Sequence, residues 1–238
     1  METDDLLKLL TKAVSSQLYD YPEPRRVFDV ERFAYIVAAF ESAQYFSHHM
    51  ATAQNLVMRD KLLEFAMAQS TNDGLILEFG VAHGASIKSL GTRFSQKVYG
   101  FDSFEGLPED WSHFQRKGRY SRDGALPADV PANVEFVAGW FDDTLPPFVQ
   151  THRDPVKFLH IDCDLYRSTK TIFDHLGGQL VPGTIILFDE YFNYPGWQHH
   201  EYKAFQEFVA ERLIKYEYLA FASSYCSVAV RILAKGEN

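Results

Sequence analysis

Leu75-Ile76-Leu77-Glu78-Phe79-Gly80-Val81-Ala82-His83-Gly84-Ala85-Ser86 is the stretch on which the reading of this chain turns. A short apolar run bounded by glycine suits a strand covered on both faces, as in a parallel sheet. Gly80 and Gly84 allow a sharp backbone turn and a close approach to a ligand, and the helix that follows would aim free N–H groups at a carboxylate or phosphate. Glycine at such a turn also serves plain close packing. The spacing differs from the G-x-G-x-x-G that cradles a dinucleotide pyrophosphate. An acid at Glu78 is poorly placed beside a pyrophosphate and suits a cationic ammonium.

Outward from this stretch the pattern repeats. Apolar or β-branched runs recur at Leu75–Phe79, 98–101, 134–137, Val156–Ile161 and 184–188, and most intervals have room for a crossover helix. That alternation predicts a parallel, doubly wound α/β sheet. Two further runs, 216–221 and 227–233, are joined by too short a link for a parallel crossover, so they are expected to pair antiparallel. Residues 1–72 read as a helical extension and 73–238 as the main domain. Within the extension, Leu6, Leu7, Leu10, Val14 and Leu18 follow helical spacing until Tyr21-Pro22-Glu23-Pro24 breaks it. Helices are expected over 29–48, with Phe33, Ile36, Val37 and Phe40 on one face, and over 54–69. The apolar faces carrying Val14, Phe33, Val37, Phe40 and Leu62 must be covered by the main domain or by a second subunit, and a homo-oligomer is expected. Residues 103–131, too long for an ordinary connection and interrupted by Pro108 and Pro127, read as a partly helical flap over the ligand-binding edge.

Chemistry concentrates at the strand ends. Asp102 closes the second strand, 24 residues past Glu78, where an acid can accept hydrogen bonds from ribose hydroxyls; it could equally cap the next turn. In Gly139-Trp140-Phe141-Asp142, beyond the third strand, Trp140 or Phe141 could stack on a base and Asp142 could take an exocyclic amine, or either aromatic could simply pack. Two acidic clusters stand out: His160-Ile161-Asp162-Cys163-Asp164-Leu165-Tyr166 and Leu187-Phe188-Asp189-Glu190-Tyr191. Asp162 and Asp189 are 27 residues apart, one helix plus two loops, which makes their strands neighbours about 4.8 Å apart with both acids at the carboxyl edge. With no Lys or Arg in either cluster, a hard cation such as Mg²⁺ is the economical counter-charge. The bland alternative is that some of these acids cap helices.

Composition narrows the classes. Of 238 residues, 46% are hydrophobic and 15% aromatic, and 32 acidic against 23 basic side chains give a formal charge of −9. Such a surface repels phosphate backbones, which argues against nucleic acid as a partner. No run is long and apolar enough for a membrane span, and the only cysteines are Cys163 and Cys226. A reducing, cytoplasmic setting is expected.

These residues resemble the macrocin O-methyltransferase (TylF/MycF) family over about residues 75–233. The likeness is carried by Glu78-Phe79-Gly80-Val81, Gly100-Phe101-Asp102-Ser103-Phe104-Glu105-Gly106-Leu107-Pro108, Gly139-Trp140-Phe141 with Asp143-Thr144-Leu145-Pro146, Ile161-Asp162-Cys163-Asp164-Leu165-Tyr166 with Ser168-Thr169, and Phe188-Asp189-Glu190-Tyr191. It implies a Rossmann-like, doubly wound sheet of five parallel strands plus a C-terminal antiparallel hairpin, the layout of class I S-adenosylmethionine-dependent methyltransferases. The activity implied is methyl transfer from S-adenosylmethionine to a hydroxyl of a small molecule, a sugar or a vicinal diol such as a catechol. Glu78, Gly80, Gly84, Ser86, Asp102, Trp140, Phe141 and Asp162 are the candidate cofactor contacts. The likeness also implies Mg²⁺ or another divalent cation on Asp162, Asp189 and Glu190, with Asp164 as general base and Asp162 at the reacting centre. Glu190 stands where relatives usually carry aspartate. His199 and His200 are candidate substrate contacts or alternative bases. The rival readings are a metal-independent methyltransferase, a catalytically silent cofactor-binding protein, and a nicotinamide-dependent oxidoreductase; the glycine spacing and terminal hairpin weigh against the last.

Overall fold

The computed structural model describes residues 29–112 and 115–234; the helix expected over Leu6–Leu18 lies outside them. One mixed sheet of eight strands organises the rest: β1 (Gln54–Asn55), β2 (Leu75–Phe79), β3 (Val98–Asp102), β4 (Val134–Ala138), β5 (Val156–Ile161), β6 (Leu180–Phe188), β7 (Lys215–Phe221) and β8 (Val228–Ala234), in the spatial order β1-β7-β8-β6-β5-β2-β3-β4. The five expected parallel strands are β2 to β6, and β8 lies antiparallel between β6 and β7. β2 and β5 are buried at every position, which explains their unbroken apolar runs. Glu78 of β2 and His160 of β5 stand opposite each other in the register and pair at 3.1 Å. That is how a charge is tolerated at the centre of a sheet.

Among the described residues six α-helices flank the sheet: α1 (Val30–Tyr45), α2 (Arg59–Gln69), α3 (Ala85–Arg93), α4 (Phe141–Thr151), α5 (Tyr166–Leu176) and α6 (Glu201–Glu211). Asp29 caps α1 by accepting from the backbone N–H groups of Glu31 and Arg32, and the helix runs on as one π turn through Met50. α5 shows why its segment is helical: Thr169, Ile172, Phe173 and Leu176 are buried at spacings of three and four, one stripe facing inward.

Two expectations are corrected. Residues 54–69 are not one helix: Gln54 and Asn55 form β1, which extends the sheet beside β7, and α2 starts only at Arg59. The flap 103–131 has no helical turn among its described residues. Backbone there takes positive φ at Phe104, Tyr120, Asp123 and Asp129 and at Gly106, Gly118 and Gly124, which breaks any helix before it can propagate. Of the apolar residues expected to be covered, Leu62 is buried, while Phe33, Val37 and Phe40 on α1 are 43, 40 and 63% exposed.

From β2 the chain proceeds outward to β3 and β4, then returns to place β5 on the other side of β2. The switch point therefore lies between β2 and β5, the crevice where open α/β sheets bind ligands. Gly80 and Asp162 emerge there.

Candidate functional site

A cavity of about 560 Å³ opens at this switch point. Gly80, Asp102, Trp140 and Phe141 line one part of it, and Asp162, Asp164, Asp189 and Glu190 another, while Leu107, Pro108 and Tyr120 of the flap form a wall. Five of the eight candidate cofactor contacts thus share one cavity. Glu78, Gly84 and Ser86 do not reach it. Glu78 is fully buried and accepts a hydrogen bond from the Ser86 hydroxyl at 3.0 Å. Gly84 precedes α3 with φ 80°, and a Cβ there would meet Pro127 of the flap at 2.8 Å. Ser86 faces a second cavity of about 400 Å³, shared with His83, Ser89 and His160.

Two residues do more than their sequence motif suggested. At Gly80, φ is +90° and a Cβ would lie 1.7 Å from the Asp162 carbonyl oxygen, so glycine is required for the β2 and β5 loops to close on each other. The Asp102 carboxylate accepts from the backbone N–H groups of Val81 and Ala82, both at 2.8 Å, and of Phe104 at 2.7 Å. It ties the glycine loop to the base of the flap while keeping a face on the cavity.

The acids are the electrostatic centre. Carboxylate oxygens of Asp162, Asp164 and Glu190 lie within 4.8 Å of one another, and Asp162, Asp189 and His160 form a second such group sharing Asp162. Burial and the neighbouring carboxylates push Asp162 and Glu190 well above the usual carboxylate range. Burial pushes Asp164 up to about 7, with a hydrogen bond to Glu190 pulling the other way. Asp164 also holds a left-handed backbone, φ 63°. Glu190 Oε2 is buried without a hydrogen-bond partner. An all-oxygen set with one orphaned oxygen fits a hard divalent cation, and a pocket joining Trp140, Phe141 and Asp102 fits a nucleoside.

The premise that no basic side chain answers these acids is corrected. Arg59, which opens α2 more than a hundred residues earlier, donates from Nη2 to Asp162 Oδ2 and from Nε to Asp189 Oδ1, both at 2.6 Å. Its guanidinium also lies over the Tyr225 ring, 5.6 Å from the centroid. No local motif signals this cation, because the acids it answers lie more than a hundred residues away in sequence. Glu201 was also missed; it is fully buried at the start of α6. His199 and His200 line neither cavity, and the His200 ring packs edge-on against Trp111 of the flap. Nor do the aromatics of residues 188–221 line the cavity. Tyr45, Tyr191 and Tyr218 join hydroxyls at 2.6 Å in a network completed by Gln206 and Tyr216.

Comparison with known proteins agrees with this geometry. Residues 77–191 match the family described as a methyltransferase domain. Over 213 residues the chain is 30% identical to 8-demethyl-8-(2,3-dimethoxy-alpha-L-rhamnosyl)-tetracenomycin-C 4'-O-methyltransferase of Streptomyces olivaceus, spanning 79% of this chain and 80% of that one. It is 27% identical over 217 residues to mycinamicin III 3''-O-methyltransferase of Micromonospora griseorubida, covering 78% and 82% of the two. Among solved structures, a calicheamicin methyltransferase superposes with a TM-score of 0.58 at 17% identity, over 97% of this chain and 94% of that one. Among the described residues no helix is long and apolar enough to cross a membrane.

Proposed function

The chain belongs to the S-adenosylmethionine-dependent O-methyltransferases, and from that premise we propose that it methylates a hydroxyl on the sugar of a glycosylated small molecule, assisted by a divalent cation, in the manner of the TylF/MycF group. The observation that carries this reading is the position of the acids. Asp162, Asp164, Asp189 and Glu190 line the same cavity as Asp102, Trp140 and Phe141, so a nucleoside and an acceptor hydroxyl can be held side by side.

Trp140 and Phe141 would take the adenine and Asp102 the ribose. Ser86, in the second cavity with the N-terminus of α3 nearby, suits the amino-acid end of the cofactor. Asp162, Asp189 and Glu190 would hold the cation, with Asp164 able to contribute. A divalent ion there supplies Lewis acidity that lowers the pKa of an acceptor hydroxyl. Asp164 is the proton acceptor: it lines the cavity beside the acids that would hold the cation, within reach of an acceptor hydroxyl placed there. The bound cofactor would supply a methyl sulfonium, whose sulfur–carbon bond electrons would leave with sulfur as the acceptor oxygen takes the methyl, and Asp164 would hold the hydroxyl proton. Leu107, Pro108 and Tyr120 wall the cavity against water. The relative from Streptomyces olivaceus acts, by its name, on a rhamnosyl compound, which favours a sugar over a catechol. The exposure of Val37 and Phe40 on α1 is in keeping with a homo-oligomer.

The test is methyl transfer from labelled S-adenosylmethionine to a panel of rhamnosides, other deoxyhexosides and catechols. Methylated glycoside is the expected product; turnover confined to catechols would move the acceptor class.

A further inference from the structure

The β5–β6 ladder ends at the pair Ile161 and Phe188, with one last backbone tie from the Asp189 N–H to the Ile161 carbonyl at 2.9 Å. Beyond it side chains tie the two acidic loops: Arg59 joins Asp162 to Asp189, and a hydrogen bond joins Asp164 to Glu190. Among the described residues no backbone hydrogen bond joins 162–165 to 190–192. Yet the Asp162, Asp164 and Glu190 oxygens converge within 4.8 Å, and Asp164 keeps a left-handed backbone that a non-glycine residue holds only where its surroundings enforce it. Something other than the sheet sets that geometry.

Glu201 supplies it. Its Oε1 accepts from the backbone N–H groups of Cys163 at 3.4 Å and Asp164 at 3.3 Å, and its Oε2 accepts from the N–H of Glu190 at 3.1 Å. One carboxylate thus stands where the next rung of the ladder would be. Only a group with two acceptor oxygens serves both loops. A carboxamide has one acceptor and would turn its NH₂ against an N–H, and an aspartate is one methylene too short to span them. α6 itself is anchored by Ala204, Phe205 and Phe208 in the core, so the bridge rests on a fixed support.

We propose that Glu201 is a positioning residue that clamps the loop after β5 to the loop after β6 and thereby sets the spacing of the acids of the reaction site. The consequence for metal binding rests on the function proposed above; the clamp itself does not. Two measurements separate them. In Glu201→Gln, hydrogen exchange at the amides of Cys163, Asp164 and Glu190 accelerates by on the order of tenfold or more, while amides inside β2 and β5 keep their protection. With Mn²⁺ as probe, followed by electron paramagnetic resonance, affinity falls by at least about tenfold, while S-adenosylhomocysteine binds within about twofold of wild type. Unchanged exchange at the three amides in a folded Glu201→Gln protein overturns the clamp. So does Mn²⁺ affinity that is unchanged or raised, since Glu201 would then be one more repelling acid. Should wild type bind no Mn²⁺, the metal reading fails and amide exchange alone decides the clamp. Should Glu201→Gln not fold, Glu201→Asp carries the test: it keeps the charge but reaches one loop, so one of the two loops loses protection and the other keeps it. Wild-type protection at both loops would refute the clamp.

Discussion

Replacing Arg59 by methionine removes the guanidinium that spans Asp162 and Asp189 while keeping much of the apolar stem. The expected loss can be bounded from the contacts. Breaking a fully buried ion pair by deleting one partner costs about 3–5 kcal/mol. Here the Asp189 side chain is 3% exposed, but Arg59 is 36% and Asp162 25% exposed, so water screens part of the interaction. The acids can also take up protons, and the Ser227 hydroxyl still donates to Asp189 at 3.1 Å. The net destabilisation of metal-free protein should therefore be about 1–3 kcal/mol, a fall in Tm of roughly 2–10 °C for a chain of this size. Because guanidinium and divalent cation answer the same oxygens, the variant should bind Mg²⁺ more tightly. Ligand stabilisation grows as RT ln(1 + [L]/Kd), so a tenfold gain in affinity adds about 1.4 kcal/mol at saturating metal. Thermal unfolding of both proteins over a series of Mg²⁺ concentrations reads this directly. The variant should start lower and gain more. Equal increments, or a variant as stable as wild type without metal, would show that Arg59 and the ion do not compete for these acids.

Other predictions follow from single contacts. Asp102→Ala removes the acceptor for three backbone N–H groups as well as the proposed ribose partner. Calorimetry should find S-adenosylhomocysteine binding weaker by about 1.5–3 kcal/mol, and unchanged affinity would remove Asp102 from the ribose role. Gly80→Ala places a Cβ 1.7 Å from the Asp162 carbonyl oxygen at φ +90°; chemical denaturation should show a loss of at least about 3 kcal/mol, whereas near-wild-type stability would mean the loops can part without penalty. The raised Asp164 carboxyl sets a pH window. The folded protein holds a proton there up to about 7, against an ordinary 3.8, while the unfolded chain has already released it. Stability of metal-free protein should therefore fall as pH rises from about 4 through about 7, and Mg²⁺ affinity should rise over the upper part of that range as the acids ionise. A flat profile in both would contradict the buried, proton-sharing cluster.

The sheet was legible because its strands are short apolar runs buried on both faces, and because the link between the last two runs is too short for a parallel crossover before β8. The neighbouring acids at Asp162 and Asp189 were legible for the same reason: spacing fixes adjacency once strands are assigned. What escaped was contact at a distance. Arg59 meets its acids across more than a hundred residues, and Glu201 binds backbone, which leaves no trace in the sequence of its partners. β1 is only Gln54 and Asn55, too short for any periodicity, and so it merged with α2. In the flap, Gly106, Gly118 and Gly124 were the available signal against helix, and each takes positive φ.

Calorimetric titration of Mg²⁺ into chelator-stripped protein in the presence of S-adenosylhomocysteine tests metal-assisted transfer most directly. One ion should bind per chain at millimolar concentration or below, and binding should vanish in Asp189→Asn and Glu190→Gln while S-adenosylhomocysteine affinity persists. Absence of saturable Mg²⁺ binding in the wild-type protein, or binding that survives both substitutions, would contradict a metal-assisted transfer at these carboxylates.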